Sequence, residues 1–416
     1  MSPEVLTWVI AAVATAAVIL RPFNWPEAIW AISGAAALVV LHLLSPQDAL
    51  TGVAKGFDVY LFLIGMMLLS EVAREEGLFD WLAAHAARRA AGSAGRLFLL
   101  IYGVGAVVTI FLSNDATAVV LTPAVAAVMR AAKVGKPLPY LLVCAFIANA
   151  ASFVLPISNP ANLVIYGSHM PPLLQWLPRY GLASLASIGT TFLVLRWTQR
   201  RDLRQAVTTD VAVPVLSSSG KTAAAGIAVT AIVLLACSAF DTQLGLPTAI
   251  AGVGTALVVL AVERKMPWKT LRGISWGVLP LVAGLFVLVE ALDRTGVIGR
   301  IAAYLQQEAW RSTGAAAWGA GIVIAFASNL MNNLPAGLIA GSAVQAAHVP
   351  DQVTRAILIG VDLGPNLSVT GSLATILWLG ALRREGHHVS AWTFLKLGLL
   401  VMPPALALSL AAALLH

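Results

Sequence analysis

From Leu97 to Met129 the chain is apolar over a length sufficient for two helices, with a single polar interruption at Phe111-Leu-Ser113-Asn114-Asp115-Ala-Thr117. A serine, an asparagine and a carboxylate in succession are costly in hydrocarbon unless they line a protein cavity or a water-filled space. One reading is a solvated loop between two spanning helices. Against it, a second polar break, Ser158-Asn159-Pro160-Ala-Asn162, lies inside the next apolar segment, and breaks of both kinds return in the second half of the chain. Breaks that recur in pairs point to a solute site.

The rest of the composition agrees with a membrane setting. Of 416 residues 59% are hydrophobic and 11% charged, against the roughly 25% charged residues of a soluble domain, and the mean hydropathy is +0.85. The chain therefore reads as a polytopic membrane protein with no separate soluble domain. Met-Ser-Pro-Glu4 lacks the basic start and cleavage pattern of a signal peptide, which predicts a retained first span over Leu6–Leu20. Cys144 and Cys237 fall in separate apolar segments, so neither a disulfide framework nor a thiolate metal cage is predicted. The net charge of +7 is carried by short loops between spans, where it sets orientation; no nucleic-acid partner is implied.

The predicted spans run Leu6–Leu20, Ala28–Leu44, Val59–Val72, the pair around Ser113, Tyr140–Gly167 broken at Pro156 to Asn162, and Leu182–Leu195. An amphipathic stretch from Arg74 to Arg96 reads as a helix in the membrane interface. After a polar linker the series begins again. Gly65, Glu71 and Gly77 match Gly284, Glu290 and Gly296; Phe111, Ser113 and Asn114 match Phe326, Ser328 and Asn329; and Asn149, Asn159, Asn162 and Gly167 match Asp362, Ser372, Thr375 and Gly380. The expected fold is all-α, with two repeats at 1–197 and 220–416 joined by a cytoplasmic linker at 198–219. Each repeat holds five transmembrane helices, one of them broken, plus a helical hairpin.

A hairpin starts and ends on one side, so five remaining spans insert the two repeats in opposite orientation, as in many secondary transporters. Sorting Lys and Arg by loop puts Lys55, Arg179, Arg294, Arg300, Arg311 and Arg355 on one side and the other twenty on the opposite side. The crowded side is cytoplasmic by the positive-inside rule, in a cell inner (plasma) membrane, with both termini outside.

Four polar nodes are then expected to converge. Their candidate solute-binding residues are Ser113, Asn114 and Thr117; Ser158, Asn159 and Asn162; Ser328, Asn329, Asn332 and Asn333; and Asn366, Thr370, Gly371 and Ser372. Broken helices expose free N–H and C=O groups to a solute, and amides and hydroxyls add neutral donors and acceptors. Ordinary polar contacts between helices account for an isolated Ser or Thr, not for four clustered breaks. The ionisable members are Asp115 and Asp362. A carboxyl group away from water and cations gives up its charge for a proton readily, and we assign proton coupling to one or both; the alternative is a carboxylate capping a half-helix. Glu71, Glu290 and Asp58 lie nearer span ends and read as interfacial. No Lys or Arg falls in a node, which suits a neutral polyhydroxylated solute or a small cation better than a polyanion. No cofactor, metal site or nucleophile–base pair is indicated, so the chain does not read as an enzyme.

Phe-Leu-Ser-Asn114-Asp115-Ala-Thr-Ala-Val-Val-Leu-Thr122-Pro123, Met331-Asn332-Asn333-Leu-Pro335 and Asp362-Leu-Gly-Pro365, followed by Gly371-Ser372-Leu-Ala-Thr375, resemble the ArsB family of arsenite/antimonite efflux permeases, in the ion-transporter superfamily. The resemblance runs over essentially the whole chain. It implies proton-driven export of arsenite and antimonite, and in some members partnership with a soluble arsenite-stimulated ATPase. Some members carry Asp where this chain has Asn149, in Ala148-Asn149-Ala-Ala-Ser152; any coupling role of that carboxylate must fall here on Asp115 or Asp362. Trivalent arsenic at neutral pH is mostly the uncharged trihydroxide, for which a ring of hydrogen-bonding groups is the fitting receptor. A Na⁺/H⁺ antiporter of the same superfamily is the alternative, since paired carboxylates near broken helices suit it too. A non-transporting membrane protein leaves the repeated breaks without a purpose.

Overall fold

The computed structural model describes residues 2–208, 211–240 and 242–415. In the first half the helices are α1 (Pro3–Leu20), α2 (Glu27–Val40), α3 (Pro46–Lys55), α4 (Phe57–Glu75), α5 (Leu78–Arg89), α6 (Ala94–Phe111), α7 (Asn114–Ala116), α8 (Thr122–Ala131), α9 (Leu138–Ala150), α10 (Pro160–Tyr166) and α11 (Leu173–Thr198). The second half has α12 (Ser218–Ala239), α13 (Gly245–Glu263), α14 (Trp268–Gly273), α15 (Val278–Arg294), α16 (Val297–Arg311), α17 (Thr313–Met331), α18 (Asn333–Ala347), α19 (Asp351–Leu363), α20 (Leu373–Arg384) and α21 (Ala391–Leu414). Six of these are long and apolar enough to cross a membrane alone, and α3 with α4, bent by 48°, make a seventh candidate. The other predicted spans fall short of this: α2 and α15 are shorter, α11 is long but less apolar, and those at α9–α10 and α19–α20 are interrupted. Ala151–Asn159 separates the first pair and Gly364–Ser372 the second.

Local chemistry fixes the ends. Ser45, Ser93, Ser217, Ser312 and Ser390 each accept a first-turn backbone N–H, satisfying donors that a helix start leaves open. At the broken spans Asn159 and Ser372 do the same for α10 and α20. The sequence marks these starts with Asn159-Pro160 and Gly371-Ser372.

Contacts between the halves come in exchanged pairs. Helix α4 lies along α13 and α15 along α2; α10 packs on α18 and α20 on α8; α11 and α21, which hold corresponding places, pack on each other. Small residues allow the closest of these crossings, as is usual where lipid leaves packing to hold helices together. A Cβ on Gly65 would strike the backbone of Thr248, and one on Gly252 the backbone of Gly65. The linker is partly fastened: Ser93 and Ala206 form a β-bridge, and Val207 and Val211 are buried. The amphipathic stretch expected in the interface forms α5, which folds against α6 and α8 with Leu78 and Phe79 buried.

Candidate functional site

Helix α6 stops at Phe111, and Ser113 in an extended conformation starts the return arm, its Oγ accepting the Ala116 N–H at 3.2 Å. Asn114 is buried and its Oδ1 accepts the Asp115 N–H at 2.9 Å. Thr117 bonds Thr109 of α6 at 2.8 Å, tying the two arms together just behind the tip. Next comes a five-residue π-helical segment, Thr117–Leu121. Pro123 accounts for it. Its ring has no N–H for the Val119 carbonyl and crowds it, so the helix widens there.

The tip faces a cavity of about 90 Å³ between the return arm, α4, the start of α10 and the end of α14. Ser113 and Asp115 line it from one side, and Ser70 and Glu71 of α4 from the other. The Asp115 carboxylate has no hydrogen-bond or ion-pair partner among the described residues. Both oxygens of Glu71 are held by the Arg74 guanidinium, at 2.8 and 2.5 Å.

Asp362 lies elsewhere. It is fully buried where the broken spans meet, accepting from Ser152 Oγ at 2.7 Å and Asn159 Nδ2 at 2.8 Å. Beside it Asn149 Nδ2 donates to Asn366 Oδ1 at 3.0 Å, and Asn366 Nδ2 to the Phe146 carbonyl at 3.1 Å. Asn162 turns its amide onto the carbonyls of Ser152, Leu155 and Pro156, and Ser158 donates to the Ile110 carbonyl. These contacts satisfy backbone groups that the break exposes. Asn366 is thus spent internally at both ends of its amide, whereas the Oδ1 atoms of Asn162 and Asn149 are buried without a hydrogen-bond partner among the described residues. The nodes at 158–162 and 362–372 share a network, and Pro160, next to Asn159, joins that network to the cavity wall.

In the second hairpin Asn332, with φ of 73°, is the turn residue and accepts the Leu334 N–H at 3.3 Å. The Asn333 N–H donates to the Gly371 carbonyl at 2.8 Å. Asn329 bridges to the neighbouring break, donating to the Gly364 carbonyl and accepting from Ser368, while Thr370 donates to the Asn329 carbonyl. A Cβ on Gly371 would strike the Pro365 backbone and the Asn329 amide oxygen. Ser372 accepts the Thr375 N–H at 3.1 Å. Ser328 is buried inside α17 and bonds back to the Ile324 carbonyl.

The hairpin register differs from the sequence match. The structural partner of Ser113 at the tip is Asn332, one helical turn beyond Ser328, at the same offset that relates Glu71 to Glu290. The local Phe-x-Ser-Asn identity favours the shorter offset. The nodes at 158–162, 328–333 and 362–372 are joined by hydrogen bonds, and α20 packs on the first tip at α7. The space among them is divided, however, with Ser113 and Asp115 at the cavity and Asn332 at a separate space of only about 10 Å³. Ser70, Glu71 and Ser152 belong to the site without having been singled out as site residues. For Glu71 the signal is its sequence match to Glu290. No group of three metal-ligating side chains occurs among the described residues.

The cavity wall is largely apolar, and the polar groups set into it are the carboxylates of Glu71 and Asp115 and the hydroxyls of Ser70, Ser113 and Ser275, with the guanidinium of Arg74 committed to Glu71. Comparison with known proteins gives this arrangement a context. A family model described as "Citrate transporter" (CitMHS) matches residues 8–360. An arsenical pump membrane protein of Yersinia enterocolitica is 31% identical over 364 residues, covering 84% of each chain. That of Escherichia coli (strain K12) is 28% identical over 405 residues, covering 91% of each. The fold is similar to the Alcanivorax borkumensis YdaH transporter (TM-score 0.54, 17% identity, 88% of this chain and 86% of that one) and to Neisseria gonorrhoeae MtrF (TM-score 0.55, 13% identity, 88% and 82%). The chain belongs to the citrate-transporter family of multi-pass membrane transporters, among its ArsB-type arsenical pump membrane proteins.

Proposed function

We propose that this transporter exports trivalent arsenic and antimony from the cytoplasm as neutral trihydroxides, in exchange for protons, and so confers arsenical resistance. The observation that carries this reading is the cavity at Ser113, Asp115, Ser70 and Glu71, whose lining offers acceptors without an unpaired cation. A tricarboxylate would meet two carboxylates there, with the one neighbouring cation, Arg74, already paired to Glu71. A trihydroxide brings three O–H donors, which a carboxylate and serine hydroxyls accept.

Asp115 supplies the coupling in the simplest form. As a carboxylate it accepts hydrogen bonds from the solute; with a proton bound, it loses much of that capacity. Proton and solute then compete for one group, and a carrier that returns with the proton after releasing the solute performs exchange. The loop charges support a cytoplasmic opening for this cavity and an inner-membrane location with both termini outside. The exchanged pairs of contacts support two inverted repeats, 1–197 and 220–416. The cycle requires no nucleotide; a soluble arsenite-stimulated ATPase, if bound, adds a second energy source.

The test is arsenite accumulation in everted membrane vesicles with an imposed pH gradient. Accumulation that collapses when the gradient is dissipated supports the reading, and none in either condition overturns it. The two carboxylates also favour one alternative, a Na⁺/H⁺ antiporter. Sodium-dependent dequenching of a pH dye in proteoliposomes, with no response to arsenite, would select it.

A further inference from the structure

Glu71 is 6% exposed and lines the same cavity as Asp115. The residue that matches it in the second half, Glu290, is held by a different set of partners. Glu290 is 4% exposed, and Lys55 of α3 reaches it at 2.6 Å. Arg294 joins from its own helix at 3.1 Å and holds Asp48 of α3 at 2.7 Å, so α3 is clamped onto α15.

The corresponding pair, α14 and α4, is fastened differently. Thr270 donates to Glu75 at 2.5 Å, Lys269 stands 3.6 Å from Glu75, and Lys265 stands 3.1 Å from Glu76. None of these groups reaches Glu71. What α14 places against the Glu71 carboxylate is Gly273, and a Cβ at that position would collide with Glu71 Oε1. The acid that is locked by a lysine in one half is, in the other, oriented by its own helix neighbour Arg74 and seated on a glycine at the cavity edge.

We infer that Glu71 is a specificity-determining residue that contacts the solute, acting with Asp115 as the second acceptor for its hydroxyl groups. This inference rests on the substrate class proposed above. It also divides the labour: Glu71, charge-balanced by Arg74, binds, while Asp115, without a partner, binds and exchanges the proton.

Gly273 provides a test that leaves the charge of Glu71 in place. The three atoms nearest to a methyl group there all belong to the flexible end of Glu71, so Gly273→Ala is expected to keep the fold and displace the carboxylate. Arsenite uptake into everted vesicles is measured as KM and Vmax, normalised to the amount of monodisperse protein. The expectation for Glu71→Gln is a KM raised roughly tenfold, the loss of one charge-assisted hydrogen bond, with Vmax within about twofold. Gly273→Ala shifts KM in the same direction, and adds nothing in a Glu71→Ala background because the two act through one group. Glu290→Gln leaves KM unchanged. A wild-type protein that does not transport arsenite overturns the proposed substrate. A wild type that transports, with Glu71→Gln at wild-type KM, overturns this inference alone, as does full additivity of the Gly273 and Glu71 substitutions.

Discussion

Ser152 Oγ lies 2.7 Å from a carboxylate oxygen of Asp362 and also 2.7 Å from the Asn149 carbonyl. Ser152 follows the first-half helix α9, and Asp362 ends the second-half helix α19, at the place Asn149 holds in α9. One hydroxyl proton thus stands between two acceptors from the two broken spans. Replacing Ser152 with Ala leaves Asp362 bonded only to Asn159. The expected cost is about 1–3 kcal/mol, the penalty for an unmet buried acceptor. Thermal unfolding of the purified protein in detergent measures it, and Ser152→Thr, which keeps the hydroxyl, should restore most of the loss.

Asp115 is expected to be the coupling group at the cavity. Asp115→Asn keeps a neutral donor and acceptor of nearly the same size but cannot take up a proton. Binding of arsenite survives, while accumulation driven by a pH gradient falls by roughly an order of magnitude or more. Counterflow exchange of arsenite across the same vesicles, which needs no proton movement, separates the two effects.

Pro123 shapes the arm that carries Asp115. Substituting Ala returns an N–H to the Val119 carbonyl and lets the π segment over Thr117–Leu121 relax to α-helix. Tightening these residues from π to α winding adds up to one residue's rotation, about 100°, and turns the tip relative to α8. Pro123→Ala should therefore fold at least as well as wild type while its arsenite KM rises several-fold.

The α4–α13 crossing has no tolerance for added atoms. Gly65→Ala places a methyl group on the backbone of Thr248, where no side chain can swing away. Overpacking of this kind costs about 1–3 kcal/mol, and loss of monodisperse protein in size-exclusion chromatography checks it. Gly95→Ala, whose added methyl group meets nothing within 4 Å, is the matched control.

Much of this was legible in the residues. Pro156 and Asn159-Pro160 in one half, and Gly364-Pro365 and Gly371-Ser372 in the other, announce breaks because they deny a helix its donors or supply a new cap. The pairing of Asn149 with Asp362 is visible as a constant offset through Asn159 and Ser372. The hairpin register was not, because residues one helical turn apart share a face and Ser328-Asn329 mimics Ser113-Asn114. The role of Glu71 was hidden for another reason. Its place near the end of α4 is local information, whereas its burial depends on α14 folding back, and on Gly273 standing where the other half offers Lys55.

The most direct measurement is arsenite accumulation in everted vesicles containing wild type or Asp115→Asn, with and without an inwardly acidic pH gradient. Gradient-dependent accumulation by wild type, and its loss in Asp115→Asn with arsenite counterflow retained, is the predicted result. Gradient-driven accumulation by Asp115→Asn at the wild-type level would contradict the placement of the proton at the hairpin tip.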